Sequence, residues 1–209
     1  MALGPPVIGM SGGVASGKSF VARQLAQCGA AVIDVDGLGH EVLRLPDVEA
    51  AARQRWGDEI FSTSGQIDRR RLAERVFAAT PQGREDLRYL ESLTHPRIRQ
   101  FLDERVDGLL CRDDVSGVVI DAPLLVEAGW NEFCDRMVFV EAPRAVRLAR
   151  AVGRGWSEQD FAAREARQES CEVKRQLADV VIDNAGSEES TRAQCERAWN
   201  ELSRPIARD

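Results

Sequence analysis

The first residues whose types and spacing could do chemistry are Gly12 to Ser19, which read GGVASGKS and follow a short apolar run. This stretch fits the pattern G-x-x-x-x-G-K-S, in which backbone N–H groups cradle phosphate oxygens and the next helix adds its positive end. In such a loop Lys18 spans the β- and γ-phosphates of a nucleoside triphosphate, and the Ser19 hydroxyl binds Mg²⁺. The residues predicted to bind the nucleotide here are Gly12, Gly13, Val14, Ala15, Ser16, Gly17, Lys18, Ser19 and Phe20.

Acidic residues follow the next apolar runs. Asp34 and Asp36 close the run AAVIDVD, and alternate residues of a strand point the same way, so we expect both carboxylates to face one side. A carboxylate there could accept a proton from an attacking hydroxyl or orient it, and its alternative role is to cap the following helix. Asp121 ends the run GVVI, the placement of an acid that holds Mg²⁺ through water. Glu127 either contributes to the acceptor site or has no functional role.

Three arginines, Arg147, Arg150 and Arg154, stand at positions i, i+3 and i+7. If this segment is helical, one face presents three guanidinium groups that neutralise the charge of the γ-phosphate. The alternative is a solvated face, because the chain uses arginine throughout. The THP triplet at 94–96 indicates a turn, and His95-Pro96 would then start a helix.

Five short runs rich in β-branched residues indicate the strands that must position these residues. The runs predict strands over 5–10, 30–36, 117–123, 136–143 and 179–184. Apolar runs without alternation favour a parallel sheet with helices on both faces, whose ligands bind beyond the carboxyl ends of the strands. The first helix is predicted from Lys18 to about Gln27, with Gly29 just past its end.

Two segments do not fit plain alternation of strand and helix. Residues 40–112 are predicted as a helical insertion, and residues 144–175 as a mobile helical flap. The last helix should place Cys195, Ala198, Trp199 and Leu202 on one packing face.

Composition restricts the partners of this 209-residue chain. The net charge of −6 gives no broad basic surface for nucleic acid, and only two of the 28 basic residues are lysines. Five scattered cysteines, none spaced C-x-x-C, argue against a disulfide framework and a zinc site. The sequence has no secretion signal and no apolar stretch near the ~18 residues of a membrane span, so we expect a cytoplasmic protein.

A triphosphate-binding loop leaves three classes: a small-molecule kinase, a regulatory GTPase and a mechanical ATPase. A guanine-specific switch normally needs an N-K-x-D-type base reader, which neither Lys18 nor Lys174 supplies. A motor is usually larger. A kinase needs an acceptor-side base, a metal-side acid and a lid, and all three have candidates here.

Several stretches resemble one family, in order, from Val7 to about Gly186. They are GMSGGVASGKSFVA, VIDVDGLGHEVL, GQIDRRRLAERVF, LTHPRIR, DAPLLVEAG, RGWSEQDFAAREARQ and LADVVIDNAGS. These stretches are similar to the dephospho-CoA kinase family. The resemblance implies transfer of the ATP γ-phosphoryl group to the ribose 3′-hydroxyl of dephospho-CoA, the last step of coenzyme A synthesis.

The resemblance also implies an α/β fold of the P-loop NTPase, nucleotide-kinase-like type, with a five-stranded parallel sheet covered by helices. Within one domain it implies three parts: a core (about 1–39, 113–143 and 176–209), a helical acceptor subdomain (about 40–112) and a lid (about 144–175). ATP, bound by residues 12–20, and dephospho-CoA are the expected partners and Mg²⁺ the expected cofactor. Nothing in the sequence indicates an oligomeric state.

The resemblance assigns roles to single residues. Asp36 becomes the base, Asn184 lies near the adenine of ATP, and the arginines of 147–154 match the lid, with Lys18 and these arginines in the catalytic set. The residues expected on the acceptor side are Asp36, His95, Arg99, Leu124 and Glu127.

The chain departs from the family pattern at Ala15, where a glycine is usual, so we expect this position not to need left-handed backbone. Phe20 is expected to pack, and Glu141 stands for an aspartate. Two other functions stay open: a related kinase of another nucleoside or nucleotide, and a non-catalytic nucleotide-binding regulator.

Overall fold

A computed structural model describes residues 2–208 of the chain. The strands in this range are β1 (Ala2–Gly4), β2 (Val7–Gly12), β3 (Ala31–Asp34), β4 (Val118–Asp121), β5 (Arg136–Glu141), β6 (Val180–Asp183) and β7 (Ile206–Arg208). The helices are α1 (Lys18–Gln27), α2 (Val35–Val42), α3 (Pro46–Trp56), α4 (Arg69–Val76), α5 (Pro81–Leu110), α6 (Arg144–Gly153), α7 (Glu158–Glu165), α8 (Cys171–Gln176) and α9 (Glu188–Leu202). Short 3₁₀ turns cover Asp58–Ile60 and Trp130–Phe133.

Five strands form one parallel sheet in the order β3-β4-β2-β5-β6. All five predicted runs are strands of this sheet, so the predicted α/β fold is confirmed. Every residue of the central strand β2 is buried, because helices cover both of its faces. The register pairs Asp34 with Asp121 and Glu141 with Asp183, which collects acidic residues at the carboxyl edge of the sheet.

Helices α1 and α9 pack together on the sheet. Val21 and Leu25 of α1 and Cys195 and Trp199 of α9 lie in one buried cluster with Ile8 of β2. The predicted packing face of the last helix is therefore confirmed, and its buried residues are Thr191, Cys195, Ala198, Trp199 and Leu202.

The end of α1 matches its prediction at Gln27. Gly29 adopts φ +105°, and its N–H donates to the Ala26 carbonyl while the Ala30 N–H donates to the Leu25 carbonyl. This paired arrangement is the glycine-terminated helix end in which a left-handed residue satisfies the last carbonyls.

The chain separates into two compact units. The first contains residues up to Asp34 and from Arg105 onward, and the second is Val35–Glu104. The second unit has its own buried cluster around Trp56, Phe61 and Leu72. Residues 40–112 are mostly helical, as predicted, with turns and loops between the helices and an isolated bridge between Phe61 and Ile67. The division into core, acceptor subdomain and lid stays a prediction.

The prediction for Asp34 and Asp36 as alternate strand residues is wrong. Strand β3 ends at Asp34, and helix α2 begins at Val35, so Asp36 lies in the first helical turn. An acid is favourable in that turn because it faces the positive end of the helix. Both aspartates are exposed.

The predicted turn at 94–96 is also wrong, because α5 runs through it with Pro96 inside the helix. Side chains supply extra hydrogen bonds around this position. The Thr94 hydroxyl donates to the Leu90 carbonyl at 2.8 Å, and Arg97 donates to the Leu93 carbonyl at 2.7 Å. The carbonyl that lacks its helical donor because of Pro96 is that of Ser92, so these two bonds flank the proline and do not replace the missing one.

A second, two-stranded sheet was not predicted. Strands β1 and β7 pair antiparallel, with Leu3 opposite Ala207. Each strand has only three residues, too few for an apolar pattern to be recognised. Across residues 2–208, no helix is both long and apolar enough to cross a membrane.

Candidate active site

The phosphate loop, residues 12–19, connects β2 to α1 as the pattern required. The Ser16 N–H donates to the Gly13 carbonyl at 3.0 Å, which closes a tight turn, and Gly17 precedes α1 with φ +97°. Within the described residues, no side chain caps α1 and its first turn carries no acid. The first N–H groups of the helix are therefore left for an anionic ligand.

Ala15 has φ +58°, the one positive φ of a non-glycine residue among residues 2–208. The expectation that this position avoids left-handed backbone is therefore wrong. The loop imposes this conformation on whichever residue stands there, at a cost of about 1–2 kcal/mol for an L-residue. Ala15 also packs against a cluster of Val14, Ala151 and Phe161, which helps to hold the strained turn.

Lys18 and Asp121 form an ion pair at the centre of the site. The Lys18 Nζ lies 2.8 Å from the Asp121 Oδ1, and the two side chains are only 13% and 15% exposed. Strand β4 places Asp121 beside Met10 of β2 and Asp34 of β3. The two groups predicted for phosphate and metal are thus brought together.

Two of the three predicted arginines bind the loop through its backbone. Arg147, which is 6% exposed, donates to the carbonyls of Val14 and Ala142 at 3.2 and 3.1 Å. Arg150 donates to the Ser16 carbonyl at 2.9 Å. Arg154 follows the last residue of α6 and is exposed. The three guanidinium groups therefore differ in environment, although their spacing placed them on one face.

Asn184 follows β6 and is buried against the same loop. Its Nδ2 donates to the Ser16 carbonyl at 2.7 Å, its Oδ1 accepts from the Thr191 hydroxyl at 3.0 Å, and its own carbonyl accepts from Arg150 at 2.6 Å. A side chain at Gly17 would collide with the Asn184 amide, so glycine is required there for contact as well as for its φ.

Helices α6 and α7 are tied to each other beside the loop. Glu165 of α7 forms an ion pair with Arg147 at 2.7 Å and accepts a hydrogen bond from Arg144 at 2.9 Å. A cleft of about 510 Å³ is lined by Gly13 and Val14 of the loop, by Arg147 and by seven residues between Ala162 and Cys171. A smaller cavity of about 240 Å³ adjoins Gly13 near the end of β5. The loop therefore borders open space on its Gly13 side.

Glu127 contacts the segment 168–174. Its Oε1 lies 2.8 Å from the Lys174 Nζ and accepts from the Glu169 N–H at 2.8 Å. Leu124 is partly buried, and Phe20 is partly buried with the Arg23 guanidinium 6.0 Å from its ring.

Sequence reasoning missed several residues of this site: Glu165, Gln168, Cys171, Lys174 and Thr191. One signal was available for Lys174, which is one of only two lysines among 28 basic residues. The other four belong to residue types that are frequent in the chain or have no distinctive spacing.

The remaining predicted residues belong to the second unit. Asp36 lies in the first turn of α2, and His95 and Arg99 lie in α5. His95 is partly buried and Arg99 is exposed. Their predicted roles at the acceptor stay predictions.

Solved structures of other proteins share this fold. The crystal structure of TT1252 from Thermus thermophilus superposes with a TM-score of 0.79 at 32% identity, covering 95% of this chain and 98% of that one. A dephospho-CoA kinase from Campylobacter jejuni gives a TM-score of 0.64 at 23% identity over 94% of this chain and 97% of its own. A shikimate kinase from Acinetobacter baumannii gives 0.51 at 16% identity over 94% and 92%, which extends the likeness of fold to another kinase.

Similarity in sequence identifies the family more specifically than the shared fold does. The chain matches the dephospho-CoA kinase family over residues 6–190. The dephospho-CoA kinase of Thermobifida fusca is 37% identical over 203 residues, covering 95% of this chain and 97% of that protein. The dephospho-CoA kinase of Carboxydothermus hydrogenoformans is 39% identical over 192 residues, covering 90% of each chain. Because the match extends over nearly the whole length of each protein, the chain belongs to the dephospho-CoA kinase family.

Proposed function

We propose that this chain transfers the γ-phosphoryl group of ATP to the ribose 3′-hydroxyl of dephospho-CoA, forming CoA and ADP. The observation that carries the proposal is the phosphate loop with Lys18 held on Asp121, in a chain that belongs to this family. No observation favours a kinase of another nucleoside or nucleotide, or a regulator without transfer activity.

The loop and its supports would position the triphosphate. Phosphoryl transfer has a loose transition state, so orientation and charge neutralisation supply most of the catalysis. N–H groups of the loop and of the first turn of α1 would bind the β-phosphate, and Lys18 would leave Asp121 to bridge the β- and γ-phosphates. Arg147 and Arg150 hold the loop carbonyls and so keep the N–H groups turned toward the ligand.

The residues present fit Mg²⁺. The Ser19 hydroxyl and the Asp121 carboxylate are hard oxygen donors, and Mg²⁺ is usually held by one or two such groups together with phosphate oxygens and water. When bound, the ion would neutralise charge on the β- and γ-phosphates. Ser19 and Asp121 are the two proposed protein donors. Among residues 2–208, no group of three or more His, Cys, Asp or Glu is placed to hold a metal ion.

The acceptor side of the proposal rests on the residues that the resemblance assigns to it. Asp36 would accept the proton of the 3′-hydroxyl or orient that hydroxyl for attack. His95, Arg99 and Leu124 would contact dephospho-CoA, whereas Glu127, which is held by Lys174 and the Glu169 N–H, would take no part in binding it. Residues 40–112 would then form the acceptor subdomain and residues 144–175 the lid, with the rest as the core.

Arg154 remains a candidate for the nucleotide because its side chain is exposed at the end of α6. Asn184, which is bonded to the loop, would lie on the adenine side of ATP. We also propose a cytoplasmic location, where ATP and Mg²⁺ are abundant.

The test is coupled ADP release with magnesium-ATP and, separately, dephospho-CoA, adenosine, AMP or no acceptor, with the product identified by mass. We expect release with dephospho-CoA alone and a product one phosphoryl group heavier. ADP release without an acceptor would identify an ATPase instead. Activity with only adenosine or AMP would mean a related kinase with another substrate.

A further inference from the structure

We infer that Lys174 is a positioning residue for phosphoryl transfer, which fixes α8 beside the phosphate loop by binding Glu127. This inference rests on the proposed function for its kinetic consequence. Lys174 lies in α8, within the predicted lid, and Glu127 lies in the segment that follows β4 and its Asp121. The pair therefore connects the predicted lid to the segment that directly follows β4, the strand that ends at the proposed metal ligand Asp121.

Hydrogen bonds on both sides extend this connection. The Lys174 Nζ lies 2.8 Å from the Glu127 Oε1 and 3.2 Å from the Gln168 Oε1. Glu127 also accepts from the Glu169 N–H, and the Gln168 Nε2 donates to the Pro123 carbonyl at 3.3 Å. Three side chains thus join residues 168–174 to residues 123–127, so α8 is fixed at this point.

The position of α8 in turn sets one wall of the phosphate loop. Cys171, the first residue of α8, lies so close to Gly13 that a Cβ placed on Gly13 would be 2.8 Å from the Cys171 Sγ. Gln168, Glu169 and Cys171 also line the 510 Å³ cleft together with Gly13. A shift of α8 would therefore change the loop and the open space beside it.

The burial of the pair argues for a positional role. Lys174 is 1% exposed and the side chain of Glu127 is 16% exposed, and Glu127 Oε2 is buried with no hydrogen-bond partner among the described residues. A buried ion pair is often no more stabilising than apolar residues of similar volume. In this protein the pair, with the hydrogen bonds around it, would instead fix the positions of the two segments that it joins. The chain uses arginine at 26 other basic positions, and here it uses the compact ammonium group.

Three variants test this inference. Lys174→Met removes the ammonium group, and the double variant Glu127→Gln with Lys174→Met also removes the buried carboxylate charge. Arg175→Met is the matched control, because Arg175 is the neighbouring basic residue of α8 and its ion pair with Glu141 is solvent-exposed, at 50% and 41%. The measurements are kcat, KM for ATP, thermal unfolding, and hydrogen exchange of the amides of residues 13–16 and 168–177.

For Lys174→Met we expect a loss in kcat of about tenfold or more, since small misplacements at a reacting centre are costly. We expect KM for ATP to change less than about threefold, because the loop N–H groups remain. Exchange should be faster in both amide segments. In the double variant thermal stability should return toward wild type while kcat stays low, and Arg175→Met should match wild type.

Two results would overturn the inference. One is recovery of kcat together with thermal stability in the double variant, which would make Lys174 a structural residue only. The other is wild-type hydrogen exchange in both segments of Lys174→Met. The exchange measurement needs no acceptor, so it decides the position of α8 even if wild-type protein transfers nothing to dephospho-CoA, a result that would refute the proposed function instead.

Discussion

Arg147→Met is the variant for which the structure gives the clearest energetic expectation. It removes two hydrogen bonds to backbone carbonyls and the ion pair with Glu165, all around a guanidinium group that is 6% exposed. Hydrogen bonds that involve a charged group contribute about 1.5–3 kcal/mol each. Glu165 keeps its partner Arg144, and methionine retains much of the apolar stem, so we expect a loss of about 3 kcal/mol in unfolding free energy.

The assay is thermal unfolding of Arg147→Met beside Arg154→Met, followed by circular dichroism. For a chain of this size a loss of about 3 kcal/mol lowers Tm by about 6–12 °C. Arg154→Met removes the same charge from an exposed position and should change the unfolding free energy by less than about 0.5 kcal/mol. Equal Tm values for the two variants would refute the buried, carbonyl-bonded environment assigned to Arg147.

Three further predictions concern the proposed chemistry and the thiols. Asp36→Asn should lower kcat about 10²-fold or more, because a base or orienting group acts directly in transfer. Tm should fall by no more than about 4 °C, because the variant loses only the acid in the first turn of α2, a cost of about 1 kcal/mol or less. Turnover within a few-fold of wild type in steady-state assays would remove that role. Lys18→Ala should abolish transfer while circular dichroism shows a retained fold, and a fully active variant would contradict the phosphate-loop assignment. Burial raises the pKa of Cys195 to about 11 and that of Cys134 to about 12, so both stay protonated at pH 8. Iodoacetamide at pH 8 should therefore alkylate the exposed Cys111 well before either of them, as read by peptide mass, and early labelling of Cys195 would contradict its burial.

The sheet and the phosphate loop were predictable because their signals are local. Apolar β-branched runs specify buried strands, and the glycines with Lys18 specify a turn that few other sequences form. The end of α1 at Gln27 followed from Gly29 for the same reason, since a left-handed residue at that position is a local requirement.

Other features depended on contacts that local patterns do not reveal. Ala15 is held in left-handed backbone by a loop whose carbonyls are bonded by Arg147 and Arg150, and those bonds outweigh the strain. Pro96 lies inside α5 despite the local rule that proline ends a helix. Spacing alone made Arg147, Arg150 and Arg154 equivalent, whereas only packing distinguishes buried from exposed guanidinium groups.

The partner of Lys174 could not be predicted either, because Glu127 is distant in the chain and no spacing rule connects them. For Lys18 the loop pattern specifies phosphate as its ligand, but its ion pair with Asp121 was not predicted either. Long-range polar pairs are therefore the part of this site that required the structure.

The scarcity of lysine has a consequence for proteolysis. The chain has two bonds that a lysine-specific protease could cleave, after Lys18 and after Lys174. Both side chains are held in ion pairs, with Lys18 partly buried at 13% exposure and Lys174 buried at 1%. A protease needs its target side chain in its own pocket, so cleavage follows transient opening of the protein. Lysine-specific digestion would therefore measure opening of the phosphate loop and of α8 separately, at two sites resolved by fragment mass, whereas an arginine-specific protease would also cut the exposed surface.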